Sequence, residues 1–368
     1  VDQVAWTAYV DDTVQWQNSA SRVPSAADAP VAAPTTMALR SLSRRCFSSA
    51  PPVGEIAKVG VVGMGLMGHG IAQLSAAAGT AVIGVDLNAE VLANGRRAIE
   101  TSVGKLNARK AKKDPAFDAD AAVAATLANL SYADSVDALA DCDLVVEAIV
   151  EDAGVKEKFY ADLGGRIKPG AIFASNTSSL KVTPMAVASG RPDRFVGLHY
   201  FNPVQLMRLV EVVKTDHTDP AVFDLVDGWA RATGKTTVSC IDTPGFIVNR
   251  LLIPNISAAL AMVERGDATV ADVDAAMMLG AGHPMGPIQL ADYVGLDTCH
   301  SILAGWAADY PEEQAFAVPP SLAKKVAENK LGRKNGEGYY VWADGPASTK
   351  PTGVSADPLI DERVAAAA

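Results

Sequence analysis

The chain has no long apolar run, few cysteines and a minority of cations, and each shortage closes off a class of protein. No stretch of its 368 residues approaches the ~18 uninterrupted apolar positions of a membrane span. The nearest, LLIPNISAALAMV at 251–263, is short and is broken by Pro254 and Asn255. The four cysteines, Cys46, Cys142, Cys240 and Cys299, lie far apart, with neither a Cys-x-x-Cys pair nor Cys/His metal spacing. They read as reduced structural thiols, and no metal site is expected. The 30 glycines follow no three-residue period, which excludes a fibrous chain. Lys and Arg number 32 against 42 Asp and Glu, a net charge of -10. The chain as a whole is therefore a poor partner for nucleic acid, although a local basic patch can still hold an anion. What remains is ordinary soluble material, 49% apolar and 20% charged, of a length that suits two domains or one large one.

Residues 1–36 are rich in Ala, Ser, Pro and Asp without a sustained period and read as a disordered extension. Met37 then opens MALRSLSRRCFSSAPP, with Arg40, Arg44 and Arg45, several serines and no acid. Spaced as a helix, Leu39, Leu42 and Phe47 fall roughly opposite the arginines. That composition suits an organelle import presequence, with cleavage after Phe47 in Arg45-Cys46-Phe47-Ser48. The mitochondrial matrix is expected ahead of the plastid, and a merely basic flexible tail is the plainer alternative. Residues 1–55 are set apart from the folded chain accordingly.

From residue 56, apolar strands alternate with helical spacing. Strands are read at 57–63, 81–86, 144–149, 171–176, 194–202, 208–215 and 235–242, and helices at 67–78, 88–113, 119–129, 153–166 and 220–233. This alternation calls for an α/β domain at 56–243, a Rossmann-type doubly wound and mostly parallel sheet covered on both faces. After Pro244-Gly245 the strand-like runs stop. Residues 244–343 are expected as an all-helical C-terminal domain punctuated by Gly and Pro, and 344–368 as a flexible tail.

Gly63-Met64-Gly65-Leu66-Met67-Gly68 follows the first strand and opens a helix. Gly63 allows the tight turn, Gly65 lets backbone approach a diphosphate, and Gly68 lets the helix pack close to the strand. The second strand ends at Asp86, where an acid accepts from the ribose hydroxyls and repels a 2′-phosphate. NAD is expected ahead of NADP, against the plain reading of a glycine turn that binds nothing.

Of the five histidines, His199 stands near the end of a strand, in Leu198-His199-Tyr200-Phe201-Asn202-Pro203. Glu211 sits inside the next apolar strand, where a lone acid is costly unless paired. A carboxylate beside the imidazole would fix its tautomer and raise its basicity, and a purely structural His–Glu contact is the even alternative. Ser175 to Ser179 close the preceding strand with hydroxyl and amide groups at the same sheet edge, or simply cap a turn. Asn202 is open between turn residue and active-site donor, and Asn249, in an apolar helix start, needs a buried partner. Lys105, Arg109, Lys110, Lys112 and Lys113 crowd one helix end, either for a phosphate-rich substrate such as a coenzyme A thioester or as a solvated face.

Seven ordered motifs then carry a family resemblance over about residues 57–343: VGVVGMGLMGHGIAQ, DLVVEAIVED, FASNTSSL, GLHYFNPVQLMRLVEVV, DTPGFIVNRLL, LGAGHPMGPIQLADYVGLD and GRKNGEGYYVW. Together they resemble the L-3-hydroxyacyl-CoA dehydrogenases, including the 3-hydroxybutyryl-CoA dehydrogenases. The resemblance implies NAD-dependent oxidation of (3S)-3-hydroxyacyl-CoA to 3-ketoacyl-CoA in fatty-acid β-oxidation, in a cleft between a nucleotide domain and a helical domain that also forms a homodimer. It implies His199 as general base partnered by Glu211, with Ser178 and Asn249 placing the reacting groups. Asn202 falls with them on the substrate side. Glu151 and Asn176 fall beside the cofactor with Gly63, Gly65, Leu66, Met67, Gly68 and Asp86. Ser102, Lys105 and Arg109 fall near the coenzyme A region, where the match is looser and Arg109 stands where lysine is common. The N-terminal extension has no counterpart in the family. Two other readings stay open: a related dehydrogenase of a small free 3-hydroxy acid, of the crystallin-like branch, and an NAD-binding protein without catalysis.

Overall fold

The computed structural model of the chain describes residues 55–355. The expected presequence at 37–47, the rest of the extension and residues 356–368 lie outside the described residues. Strands β1 (Lys58–Val62), β2 (Ala81–Val85), β3 (Leu130–Ala133), β4 (Leu144–Glu147), β5 (Ile172–Ser175), β6 (Phe195–Tyr200), β7 (Leu209–Lys214) and β8 (Thr236–Ile241) form one sheet in the order β3-β2-β1-β4-β5-β6-β7-β8. Neighbours are parallel except β6 and β7. The strand order reverses between β1 and β4, which opens a crevice at the carboxyl ends, where doubly wound sheets bind ligands. Strands β4, β5 and β6 are buried along their whole length, as central strands covered by helices on both faces must be.

Helices α1 (Gly68–Ala77), α2 (Ala89–Lys113), α3 (Ala119–Ala128), α4 (Ala153–Gly164), α5 (Val182–Ala188) and α6 (Pro220–Ala232) belong to the sheet region. Asn88, Asp118, Asp152 and Asp219 start α2, α3, α4 and α6 by accepting first-turn amides, and Asp242 after β8 accepts Val182 N and Thr183 N at the start of α5. The chain then becomes helical in α7 (Val248–Arg265), α8 (Val270–Gly280), α9 (Pro287–Val294), α10 (Leu296–Asp309) and α11 (Pro320–Ala327). These pack around a core of their own, with Ile256, Leu260, Leu303, Phe316 and Trp342 fully or almost fully buried.

Two buried carboxylates organise that second region. Asp274 of α8 accepts Ile288 N and Gln289 N (both 2.8 Å) at the start of α9, and the Tyr340 hydroxyl at 2.7 Å. Asp292 of α9 accepts Tyr339 N at 2.9 Å, Tyr340 N at 2.8 Å and Trp342 Nε1 at 2.9 Å. Burial pushes the Asp292 carboxyl up to about 6, and the three donors only partly oppose it.

The structure departs from the sequence reading at three places. β3 is a four-residue, half-exposed strand that begins directly after α3, too short and too polar to show a period of its own. α5 holds only seven residues with Pro184 among them, and its start depends on the distant Asp242. The expected tail is corrected as far as residue 355: β10 (Gly353–Val354) pairs antiparallel with β9 (Tyr340–Val341), and Ser355 donates to the Glu337 carboxylate and the Tyr339 carbonyl. The two short strands also mean that the helical region is not purely helical.

Replacing Asp292 by Ala leaves three buried donors unpaired, and at ~1–3 kcal/mol for each the loss in urea unfolding at pH 7 should be about 3 kcal/mol or more. A raised carboxyl adds stability that is complete below its ordinary value of 3.8 and is lost as pH rises through about 6. The stability of the native chain relative to Asp292→Asn should therefore decline across that window, and a flat difference would contradict the assignment.

Candidate active site

Gly63 leaves β1 with φ +89 and donates its amide to the Val85 carbonyl at 2.8 Å. A Cβ on Gly63 would stand 2.5 Å from the Ala148 carbonyl oxygen, and one on Gly68 would stand 1.7 Å from the Gly63 oxygen. Neither position accepts a side chain. A Cβ on Gly65 meets nothing within 4 Å, so the backbone there faces open space at the start of α1. Leu66 is exposed and Met67 half-buried in the same turn. Asp86 accepts Met64 N and Asn88 N, both at 2.9 Å, so the acid also ties the loop to β2. Its carboxylate keeps lone pairs for ribose hydroxyls. An open glycine beside free helix amides and an acid at the next strand end fit a dinucleotide.

His199 and Glu211 are direct cross-strand partners in the one antiparallel pair of the sheet. His199 Nδ1 and Glu211 Oε2 are 2.7 Å apart, and Glu211 is fully buried. A carboxylate accepts, so Nδ1 carries the hydrogen and Nε2 is left with its lone pair. Phe201 and Phe246 flank the imidazole, with ring centroids at 4.4 and 5.7 Å. The other carboxylate oxygen, Oε1, accepts Ile247 N at 3.1 Å and Val248 N at 2.8 Å. Helix α7 has no cap from its own flanking side chain, and Glu211 serves it instead. Gly245 and Phe246 both adopt left-handed backbone, with φ 72 and 55, and this double turn aims the two amides at Glu211. A left-handed phenylalanine costs about 1–3 kcal/mol and persists only where its surroundings hold it. Here the ring is buried in the sheet core.

Beside this pair lies a second cluster, in which Lys156 and Glu147 are buried and Glu151 stands exposed at the cavity edge. Lys156 of α4 reaches both Glu147 Oε1 and, at 3.2 Å, Glu151 Oε2. Glu147 also accepts the Ser175 hydroxyl at 2.7 Å and Ile149 N at 2.8 Å. Glu151 Oε1 accepts the Thr177 hydroxyl at 2.6 Å and Ser178 N at 2.8 Å, and Ser178 Oγ stands 3.3 Å away. Burial pushes the Glu151 carboxyl up, but Lys156 and these donors outweigh it and hold it below the ordinary carboxylate range. Sequence reasoning missed Glu147 and Lys156. The signal was an acid ending the apolar run Leu144-Val145-Val146-Glu147, the same signal that marked Glu211.

His199, Glu151, Ser178, Asn202 and Asn249 share a cavity of about 700 Å³ whose far wall is built by α7 and α10, with Leu252, Ile302 and Trp306. Asn249 Nδ2 donates to the Ser178 carbonyl at 3.0 Å, which supplies the buried partner its sequence context demands and joins α7 to the sheet edge. Asn176 is placed differently from a free ligand group: its Oδ1 accepts Tyr200 N at 2.9 Å and braces the end of β6. Ser102, Lys105 and Arg109 do not reach this cavity. They line a second one of about 500 Å³ with His69 and Arg97, and Asn202 borders both. Among the described residues no cluster of His, Cys, Asp and Glu has the makings of a metal site.

Residues 58–243 match the family described as 3-hydroxyacyl-CoA dehydrogenase, NAD binding domain, and residues 245–342 match its C-terminal domain. The chain is 47% identical over 308 residues to the mitochondrial hydroxyacyl-coenzyme A dehydrogenase of Homo sapiens, covering 83% of this chain and 98% of that protein. The corresponding protein of Sus scrofa is 46% identical over 308 residues, with the same coverage. Among solved structures, the (S)-3-hydroxybutyryl-CoA dehydrogenase of Ralstonia eutropha superposes with TM-score 0.74 at 35% identity, over 78% of this chain and 100% of that one. FadB2 of M. tuberculosis gives 0.71 at 39%, over 79% and 100%.

Two glycine substitutions separate the fold of the loop from its ligand. Gly65→Ala should unfold at the native temperature yet bind NADH at least about tenfold more weakly, a difference of ~1.4 kcal/mol, because the methyl takes the space a diphosphate needs. Gly68→Ala should lower the unfolding temperature itself. Thermal scans and NADH fluorescence titration read the two effects, and equal NADH affinity in Gly65→Ala would misplace the cradle.

Proposed function

The chain belongs to the 3-hydroxyacyl-CoA dehydrogenase family and is an NAD-dependent dehydrogenase, and from that premise we infer that it oxidises (3S)-3-hydroxyacyl-CoA thioesters to 3-ketoacyl-CoA by general-base catalysis at His199. The observation that carries this reading is the His199–Glu211 pair opening on the cavity between the sheet and α7. NAD, when bound, supplies the hydride acceptor. Gly65 and the first amides of α1 would hold its diphosphate, Asp86 its adenosine ribose, and Glu151 the cavity edge of its site. The chain's own part is to place a substrate hydroxyl at His199 Nε2, which takes the proton. Nδ1–H stays on the imidazole, and the buried Glu211 carboxylate stabilises the cation that forms. Ser178 and Asn249, joined by the bond from Asn249 Nδ2 to the Ser178 carbonyl, fix the substrate oxygens, and the apolar wall of Leu252, Ile302 and Trp306 excludes water.

The second cavity favours a coenzyme A thioester over a small free acid. Its charged lining residues, Arg97, Lys105 and Arg109, are all cationic in a protein of net charge -10. A free 3-hydroxy acid would have no use for them. A role in fatty-acid β-oxidation and a mitochondrial matrix location belong to the same proposal. The mitochondrial relatives of pig and human and the basic, serine-rich stretch after Met37 support it. Pairing of two copies through the helical region is likewise proposed, on the family resemblance.

Oxidation of NADH with acetoacetyl-CoA, set beside free acetoacetate, tests the substrate class, and turnover of the free acid alone would overturn it. His199→Gln should lower kcat by about 10²–10⁴-fold. Glu211→Gln should lose activity on the same scale for a distinct reason. Its amide oxygen keeps the α7 amides, its NH2 then faces Nδ1, and the imidazole is forced into the tautomer with hydrogen on Nε2. Near-native kcat in either variant would remove the proposed base.

A further inference from the structure

His69 is the second residue of α1, directly behind the glycine loop. Its Nδ1 lies 2.7 Å from the Gly65 carbonyl oxygen, which can only accept, so Nδ1 carries the hydrogen. Among the described residues the ring makes no other hydrogen bond, and Nε2 keeps a free lone pair. The residue lines the second cavity, opposite α2. Helix α2 presents Arg97, Lys105 and Arg109, with Thr101 and Ser102 between them. The connection after β6 presents Asn202, Pro203, Gln205 and Leu206, and the glycine loop Leu66, none of them titratable. Among the described residues no carboxylate lines the cavity. Three fixed cations and one imidazole thus converge on a space of about 500 Å³ without an anion to balance them.

We propose that His69 is a proton-linked phosphate ligand of the coenzyme A moiety, neutral in the empty cavity and protonated on Nε2 when a phosphate occupies it. The proposal rests on the coenzyme A reading given above and adds to it a residue on the nucleotide side of the cavity. Without a ligand, burial holds the imidazole below its ordinary value, and the bond to the Gly65 carbonyl only partly opposes it. A phosphate reverses that balance, because it neutralises the cations and offers an acceptor to Nε2–H in a charge-assisted bond. The proton comes from solvent, and no bond other than that N–H is made. Coenzyme A affinity should then weaken as pH rises from about 6 to about 8, whereas Lys and Arg alone would leave no such slope. The ring also hangs from Gly65, so the phosphate-binding residue and the dinucleotide loop share one carbonyl.

The test is the titration of His69 in the full chain by long-range 1H–15N correlation spectra. Its signals among the five histidines are assigned by difference with His69→Gln. Saturating coenzyme A should raise the His69 pKa by about one unit, a tenfold shift in its protonation equilibrium, while NADH alone should not. Dephospho-coenzyme A, which lacks the 3′-phosphate but keeps the diphosphate, tells which phosphate is held. An unmoved pKa with coenzyme A, or an equal rise with NADH, overturns the proposal. In kinetics, His69→Gln should raise KM for acetoacetyl-CoA about threefold to tenfold at pH 6 and remove its pH slope, with a smaller change for S-acetoacetylpantetheine. Absence of turnover with acetoacetyl-CoA in the native chain would sink the substrate reading, whereas normal turnover with an unresponsive His69 would sink only this assignment.

Discussion

One carboxylate, that of Glu211, makes the bonds on which the site depends. One oxygen orients His199, and the other gathers the amides of Ile247 and Val248 at the start of α7. Burying an acid in the middle of a sheet is costly, and here several polar contacts offset the cost at once. The imidazole, the sheet and the leading turn of the helical region are consequently referenced to a single group. The left-handed turn at Gly245 and Phe246 belongs to the same construction, because it aims the amides and sends the Phe246 ring into the sheet core.

The site as a whole is a pair of adjoining chambers. The larger one is walled by apolar side chains of α7 and α10 and carries the imidazole. The smaller one lies against α2 and carries the cations, and Asn202 borders both. A substrate with a reactive acyl end and a charged carrier end matches this division, with the two ends sorted by polarity before any specific contact is made. The Glu147–Lys156–Glu151 cluster meets the first chamber at Glu151. Lys156 is buried between two acids, and its charge is what lets Glu151 stay ionised at the edge of the cavity.

Much of this was legible in the chain itself, and what was not has physical reasons. The alternation of apolar strands and helices carried seven of the eight strands and the doubly wound architecture, and the glycine spacing carried the loop, since each depends on residues close in sequence. The His199–Glu211 contact was readable because an acid in an apolar strand demands a partner and the neighbouring strand offers one. The second half of Glu211's role was not readable, because its donors are backbone amides 36 and 37 residues downstream and any sequence has those. The return of residues 345–355 was hidden likewise. Asp292 orders the 339–342 segment from 47 to 50 residues upstream, and the short strand pair has no pattern of its own. The basic end of α2 was legible as charge but not as shape: only the fold shows that Lys105 and Arg109 face a hollow while Lys110 leans over the Phe117 ring.

Helix α7 spans 18 residues, about 27 Å at 1.5 Å per residue, and it is gripped at one end by Glu211. It is therefore a lever whose fulcrum is a side chain. Turning it by ~5° about that end swings Arg265 through about 2 Å, with the rest of the helical bundle in tow. Angular tolerance at the carboxylate is thus magnified into the width of the gap between the two halves of the molecule.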